Sequence, residues 1–85
     1  MAPSSAAAYE VVLSEDARSQ WYRAEPRRLR RALWRTLEDL SRDPRPPAAL
    51  QLVGSSRYWL AVDSAVVLYA VDEAAATVLV AEIRI

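Results

Sequence analysis

The chain has 85 residues, 53% of them hydrophobic, which is enough to form one small domain with its own core. All eleven basic residues are arginine, balanced by eleven acidic residues, and both cysteine and histidine are absent. This composition excludes a disulfide framework and removes the usual ligands for zinc and haem iron, so we expect no cofactor and no metal.

The N-terminal residues predict a short tail. Residues 1–8 lack the basic start and the long apolar core of a secretion signal, and no stretch approaches the roughly 20 apolar residues that cross a bilayer. We therefore expect a disordered tail over residues 1–8 and a single domain over residues 9–85. We also expect a cytoplasmic protein that makes no membrane contact.

The first elements are a strand and a short helix. Residues 9–13 are mostly β-branched or aromatic, and they end at Ser14, which is a favourable helix N-cap. Glu15 and Asp16 then place negative charge in the first turn, where the helix dipole favours it. Ala17, Trp21 and Ala24 follow at helical spacing, so residues 15–24 predict a helix with one buried face.

A second helix follows Pro26, because proline is well tolerated at a helix start. Its apolar residues form one stripe, with arginines on the opposite side. The helix should end at residues 43–47, where three prolines in four residues cannot continue it. The stripe consists of Leu29, Leu33, Leu37 and Leu40.

The remaining residues predict strands, including residues 50–53, 57–63, 65–71 and 77–85. The resulting fold class is α+β. It comprises an N-terminal strand, an α-helical hairpin, and then a three- to four-stranded antiparallel meander.

The second helix carries a basic patch and a tryptophan. The patch could bind nucleic-acid phosphates, or it could be an ordinary solvated face with charge pairs. Trp34 lies off the leucine stripe, so it could anchor a partner or pack against the first helix. The patch consists of Arg27, Arg28, Arg30, Arg31 and Arg35.

Both faces of the predicted sheet are apolar. If the helices cover Tyr58, Leu60 and Val67, a second apolar face remains, and an exposed patch of that kind usually marks a partner site. The alternative is that the N-terminal tail, a loop or a tilted helix covers it. The residues predicted on this second face are Trp59, Val66, Leu68, Val78 and Val80.

The order and spacing of these elements resemble the RelE/ParE superfamily of bacterial toxins from toxin–antitoxin pairs. The likeness rests on residues 9–17, the arginine-rich second helix, the Asp43-Pro44 stop, residues 52–54, and the hairpin of residues 58–69. The usual pattern of that hairpin is Tyr-Arg-x-Arg-Val-Gly-x-Tyr-Arg-Val-x-Tyr. Here Trp59, Ala61 and Val66 replace the arginines, Asp63 replaces the glycine, and Ala65 replaces a tyrosine.

The resemblance implies a toxin that is bound and neutralised by an antitoxin. In the RNA-cleaving branch, basic residues of the sheet hold phosphate. The resemblance therefore implies Arg57 and Arg84 as the remaining contacts to RNA on the ribosome, with Tyr69 as an acid–base candidate. The ParE branch acts on DNA gyrase and does not depend on the same sheet residues. A different class also stays open, namely a non-catalytic interaction module that forms a homodimer through the apolar sheet face.

Overall fold

A computed structural model describes residues 8–85, and it forms one five-stranded sheet with two helices. The tail expected over residues 1–8 lies outside the described residues, apart from Ala8. The elements in chain order are β1 (Glu10–Leu13), α1 (Glu15–Arg23), α2 (Arg27–Arg42), β2 (Leu50–Gln51), β3 (Arg57–Val62), β4 (Ala65–Asp72) and β5 (Thr77–Arg84). The α+β class and the element order that the sequence predicted are confirmed.

The strands follow the order β1-β5-β4-β3-β2 across the sheet. Strands β2 to β5 form an antiparallel meander, as predicted. Strand β1 pairs in parallel with β5, with Val12 opposite Leu79. The sheet is thus mixed, and β1 forms one of its edges.

Helix α1 is fixed to β5 by side chains near its start and middle. The Ser14 hydroxyl accepts a hydrogen bond from the Ala17 amide at 3.0 Å and donates one to the Ala81 carbonyl at 2.7 Å. The Gln20 side-chain oxygen accepts a hydrogen bond from the Ile83 amide at 2.7 Å. The predicted cap therefore also docks the helix on the sheet.

Helix α2 supplies most of the helical side of the core. Its four stripe leucines are at most 3% exposed, which confirms the predicted buried face. The helix ends where the sequence predicted, at Arg42, and the Asp43 amide donates to the Asp39 carbonyl. Arg27, Arg31 and Arg35 point to solvent on the opposite side.

The sheet face beneath the helices, called the covered face below, is tightly buried. It consists of Tyr58, Leu60 and Val62 from β3, Ala65, Val67, Tyr69 and Val71 from β4, and Val78, Val80 and Ile83 from β5.

The prediction that Val78 and Val80 lie on the second face is wrong. Both are 0% exposed and belong to the covered face, and Leu79 between them points the other way. A β-bulge changes which residues face the helices in the later part of β5. The register shifts between Leu68 and Tyr69, so β5 contains one extra residue opposite Leu68.

The turn between β3 and β4 explains one departure from the family pattern. Asp63 has a φ of 54°, which is the left-handed region that favours glycine. Aspartate tolerates this region better than most residues, so the hairpin closes without the usual glycine.

Candidate functional site

An apolar band crosses the sheet face opposite the helices, called the open face below. Cross-strand partners place its residues side by side: Val12 pairs with Leu79, Leu68 pairs with Trp59, and Trp59 pairs with Leu50. Leu79 pairs with Ala70, so it lies diagonal to Leu68 on the same face. The band therefore includes a large apolar side chain from each of the five strands: Val12, Leu79, Leu68, Trp59 and Leu50.

The band is open to solvent. Trp59 is 38% exposed, Leu79 45% and Leu50 54%, whereas Leu68 at the centre is half-buried. Exposed sheet faces are normally polar, and a continuous exposed apolar patch usually marks a binding surface. The open face is therefore the strongest candidate site on the residues that the structure describes.

Arg57 and Arg84 both lie on the open face and line one groove of about 630 Å³ above Leu68. Arg57 pairs with Ala70 and Arg84 with Val66. These partners are four residues apart on β4, and the two arginines lie on the strands at either side of β4. The separation along the strand and across it together place the two arginine Cα atoms about 16 Å apart. The side chains can thus reach two different points of one extended ligand.

The two arginines differ in their surroundings. The Arg84 Nε donates to the Glu82 carboxylate at 3.0 Å, within the same strand. Arg57 has no ion-pair partner among residues 8–85. Arg57 is therefore the less neutralised cation in the groove.

The three residues at positions where the resemblance led us to expect arginine also lie on the open face. Trp59 and Ala61 are exposed on β3, and Val66 is half-buried on β4. These three positions are thus part of, or beside, the apolar band.

Tyr69 adjoins the groove of Arg57 and Arg84, but its side chain belongs to the covered face. Its side chain is 2% exposed on the covered face, and its hydroxyl donates to the Pro44 carbonyl at 2.8 Å. Burial raises the pKa of Tyr69 to about 12, with a smaller contribution from Tyr58, whose ring stacks on it with centroids 5.5 Å apart. The hydrogen bond to the Pro44 carbonyl gives this phenol a structural role, and its acid–base role stays a prediction.

A polar network around Arg45 was not predicted from the sequence. The Arg45 guanidinium forms an ion pair with Glu73 and donates from Nε to the Tyr58 hydroxyl at 2.9 Å. The Tyr9 hydroxyl donates to the Glu73 carboxylate at 2.7 Å. These bonds lower the pKa of Glu73, the Tyr9 bond having the larger effect, and raise the pKa values of Tyr9 and Arg45. The network joins the loop after α2 to the β4–β5 turn.

Packing separates Arg30 from the other four arginines of the predicted basic patch. Arg30 is half-buried, and its guanidinium donates to the Tyr22 carbonyl at 3.2 Å. The other four arginines are exposed. Arg30 therefore helps to join the two helices, which leaves a smaller solvent-facing patch.

Trp34 combines the two roles that the sequence left open. Its ring packs against Trp21, with centroids 5.6 Å apart, yet the residue is 49% exposed. Trp21 is fixed because its indole N–H donates to the Arg30 carbonyl at 3.1 Å. Trp34 thus lies on a rigid support with half of its surface accessible.

Residues 8–85 contain no group of three or more Asp, Glu, His or Cys side chains placed to hold a metal ion. None of the helices described is long and apolar enough to span a bilayer.

This arrangement of strands and helices is the RelE fold. The chain superposes on the isolated RelE toxin of E. coli with a TM-score of 0.79 at 22% identity, covering 91% of this chain and 83% of that one. It matches a chain of the RelBE2 toxin–antitoxin complex of Mycobacterium tuberculosis with a TM-score of 0.74 at 23% identity, covering 89% and 95%. It matches a chain of the archaeal RelE–RelB complex of Pyrococcus horikoshii with a TM-score of 0.79 at 16% identity, covering 91% and 93%. No protein-family model and no curated protein matches the chain.

Proposed function

We propose that the protein is the toxin component of a cytoplasmic toxin–antitoxin pair and that its antitoxin binds the apolar band of the open face. The observation that carries this proposal is the band itself, which spans all five strands and exposes Trp59 and Leu79. The likeness to RelE chains solved in complexes with RelB supports it. A toxin that is stored in a bound form needs such a surface, because burial of apolar area supplies most of the affinity.

The same face is poorly equipped for RNA cleavage. Charge that develops on a reacting phosphate must be stabilised by positioned donors, and loss of one such donor typically costs about 10²–10³ in rate. Here Trp59, Ala61 and Val66 provide none, and Arg84 is paired with Glu82. We therefore propose that the protein acts by binding a protein target, as expected for the gyrase-directed branch, and that Arg57 and Arg84 at most hold RNA phosphates.

Induction in a bacterial host separates these activities. The protein is expressed alone, and its growth curve is compared with that of an Arg57→Ala/Arg84→Ala variant at equal protein level. We expect growth arrest by both proteins, since target binding does not need the two arginines. Arrest that disappears in the double variant would show that the arginines act, and would overturn the binding mechanism. No arrest at clear expression would favour the homodimeric interaction module.

A single charge in the band tests the antitoxin surface. Trp59→Glu should abolish co-purification with the small protein encoded beside the toxin gene, because it buries an unpaired carboxylate at the interface. Val53→Glu is the matched control, since Val53 is fully exposed on a loop outside the band. Far-UV circular dichroism should show both variants folded. Size-exclusion chromatography of the protein alone distinguishes the homodimer, which Trp59→Glu would convert to a monomer.

A further inference from the structure

The arginines of the helical hairpin differ from those of the rest of the chain. Residues 17–37 contain seven arginines and one acidic residue, Glu25. None of the seven forms an ion pair with a side chain of residues 8–85, whereas three of the four arginines that follow are paired with a carboxylate. This surface of the described residues thus has the exposure of an ordinary polar face but not its charge pairs.

Three of these arginines form a row along α2. Arg27, Arg31 and Arg35 are four residues apart, so they follow one another on the side opposite the leucine stripe, over about 12 Å. All three are exposed. Like charges at this spacing repel each other and slightly destabilise a helix. A bound polyanion removes that repulsion, and a row of cations can follow the phosphates of a nucleic acid.

Three aromatic rings lie in contact beside this row. Trp21 is fixed between the helices, because its indole N–H donates to the Arg30 carbonyl at 3.1 Å. The Tyr22 ring stacks on it with an interplanar angle of 10°, and the Trp34 ring packs against it at 47°. Tyr22 is 74% exposed and Trp34 is 49% exposed. Two of the rings are therefore accessible to a ligand, and the third holds them in place.

A cleft of about 480 Å³ joins the rings to the arginine row. Its lining includes Trp21, Trp34, Arg31 and Arg35, with Glu38 as its single acidic residue. This combination matches the two parts of a nucleotide, since a base stacks on an aromatic ring and a phosphate binds guanidinium groups. An acidic peptide would use the arginines but has no flat ring to match the aromatic surface. The cleft, called the aromatic cleft below, therefore favours a nucleic acid over a protein segment.

The rings also select the form of the nucleic acid. Bases in a duplex are stacked on one another, whereas unpaired bases stack on exposed aromatic rings whatever their identity. A duplex would therefore engage only the arginines. The aromatic cleft lies on the helical side of the molecule, so it is separate from the groove of Arg57 and Arg84 on the open face.

We infer that the aromatic cleft binds single-stranded nucleic acid without reading its sequence. A base stacks on Trp34, a neighbouring base contacts Tyr22, and Arg31 and Arg35 hold the phosphates beside them. This inference goes beyond the proposed toxin function and does not need it, because the cleft shares no residue with the apolar band.

Fluorescence anisotropy of labelled strands measures this binding. The probes are oligothymidylate and oligouridylate of about eight nucleotides, and a blunt-ended DNA duplex is the comparison. Trp34→Ala removes the stacking ring, and Trp34→Tyr keeps a smaller one. Trp59→Ala is the matched control, since Trp59 is also a partly exposed tryptophan but lies on the open face.

A second pair of variants tests the cations. Arg31→Ala/Arg35→Ala removes two arginines of the aromatic cleft, and Arg57→Ala/Arg84→Ala removes two from the open face. Far-UV circular dichroism verifies that every variant is folded, so that a loss of binding can be assigned to the missing side chain.

At least one of the two single strands should bind saturably at low salt, and the tighter one identifies DNA or RNA as the natural ligand. The duplex should bind more weakly. Trp34→Ala should weaken binding about tenfold or more, as is usual for the loss of one stacking ring, and Trp34→Tyr should retain part of the affinity. Arg31→Ala/Arg35→Ala should reduce the slope of log K against log salt by about 1.4, which corresponds to two phosphates. Both open-face variants should bind as the parent does.

Other outcomes overturn the inference. Loss of binding in the open-face variants would place the strand in the groove of Arg57 and Arg84. Binding that ignores Trp34, or a duplex that binds as tightly as the single strands, would reduce the site to non-specific charge attraction. Absence of saturable binding would contradict the site outright. None of these measurements involves growth arrest or the antitoxin, so the aromatic cleft and the toxin function can fail independently.

Discussion

The two faces of the sheet are built from similar apolar residues, but one face is buried and the other is exposed. Val78 and Val80 on the covered face are 0% exposed, whereas Leu79 between them on the open face is 45% exposed. What differs is the element above each face, since the leucine stripe of α2 seals one side and no element of residues 8–85 covers the other. Apolar composition therefore does not identify the core of this sheet, and the amphipathic helix does.

The largest effect on stability should come from introducing a carboxylate on the covered face instead of the open face. Val80→Asp places a carboxylate in the core without a partner and should cost about 4 kcal/mol or more. A domain of this size has a stability of only about 4–13 kcal/mol, so this cost removes between about a third and all of it. Far-UV circular dichroism and urea denaturation measure this directly.

Leu79→Asp is the matched control on the same strand. Its side chain is exposed on the open face, so the unfolding free energy should change by less than about 1 kcal/mol. Equal destabilisation by the two substitutions would show that the open face is part of the core, which would also remove the basis for a binding surface there.

A smaller effect is expected from Tyr69→Phe, which tests the polar contact at the covered face. The substitution leaves the buried Pro44 carbonyl without its donor and should destabilise the fold by about 1–2 kcal/mol. Because the pKa of Tyr69 is raised in the folded protein, its contribution is complete below about pH 10 and is lost as the pH rises toward about 12. Urea unfolding at a series of pH values should show this alkaline loss in the parent protein and a weaker loss in Tyr69→Phe.

Growth arrest provides the functional contrast for the same variant. Arrest should persist in Tyr69→Phe at equal soluble protein level, since a buried structural phenol does not contact the target. Loss of arrest with an intact fold would support the acid–base role of Tyr69.

The smallest effect concerns the network at the sheet end. The pKa of Glu73 is lowered by the hydrogen bond from Tyr9 and by Arg45. The pair therefore stabilises the fold above the ordinary carboxylate pKa of 4.5, and this contribution is lost as the pH falls through the lower folded value. Glu73→Gln should show a shallower decline of melting temperature between neutral and acidic pH. An identical decline in both proteins would mean that the network does not contribute to stability. Glu82→Gln is a suitable control, as its ion pair with Arg84 lies within one strand.

The sequence predicted the elements whose patterns have only one interpretation. Leucines at helical spacing opposite arginines identified the buried side of α2, and strict alternation in β3 identified Tyr58, Leu60 and Val62 as one face. Those two patterns were sufficient to predict the fold class, because they define one apolar helix face and one sheet face that must meet.

The predictions from sequence failed for features that no periodic residue pattern encodes. Residues 78–81 are all apolar, so alternation could not show which of them point inward, and Val78 and Val80 were assigned to the wrong face. The Arg45 network joins residues from Tyr9 to Glu73, which are 64 positions apart, through loops without a motif.

The bulge opposite Leu68 reverses the alternation of inward and outward residues along β5. Before it the inward residues have even numbers, Val78 and Val80, and after it the inward residue is Ile83, so Glu82 and Arg84 remain outside. An uninterrupted strand would turn both charged residues toward the core. Ala81 is the extra residue, so its deletion would remove the bulge and still leave Glu82 and Arg84 on the outward side. An alignment of related strands without a gap at the bulge would compare the outward Arg84 with an inward residue of its counterpart.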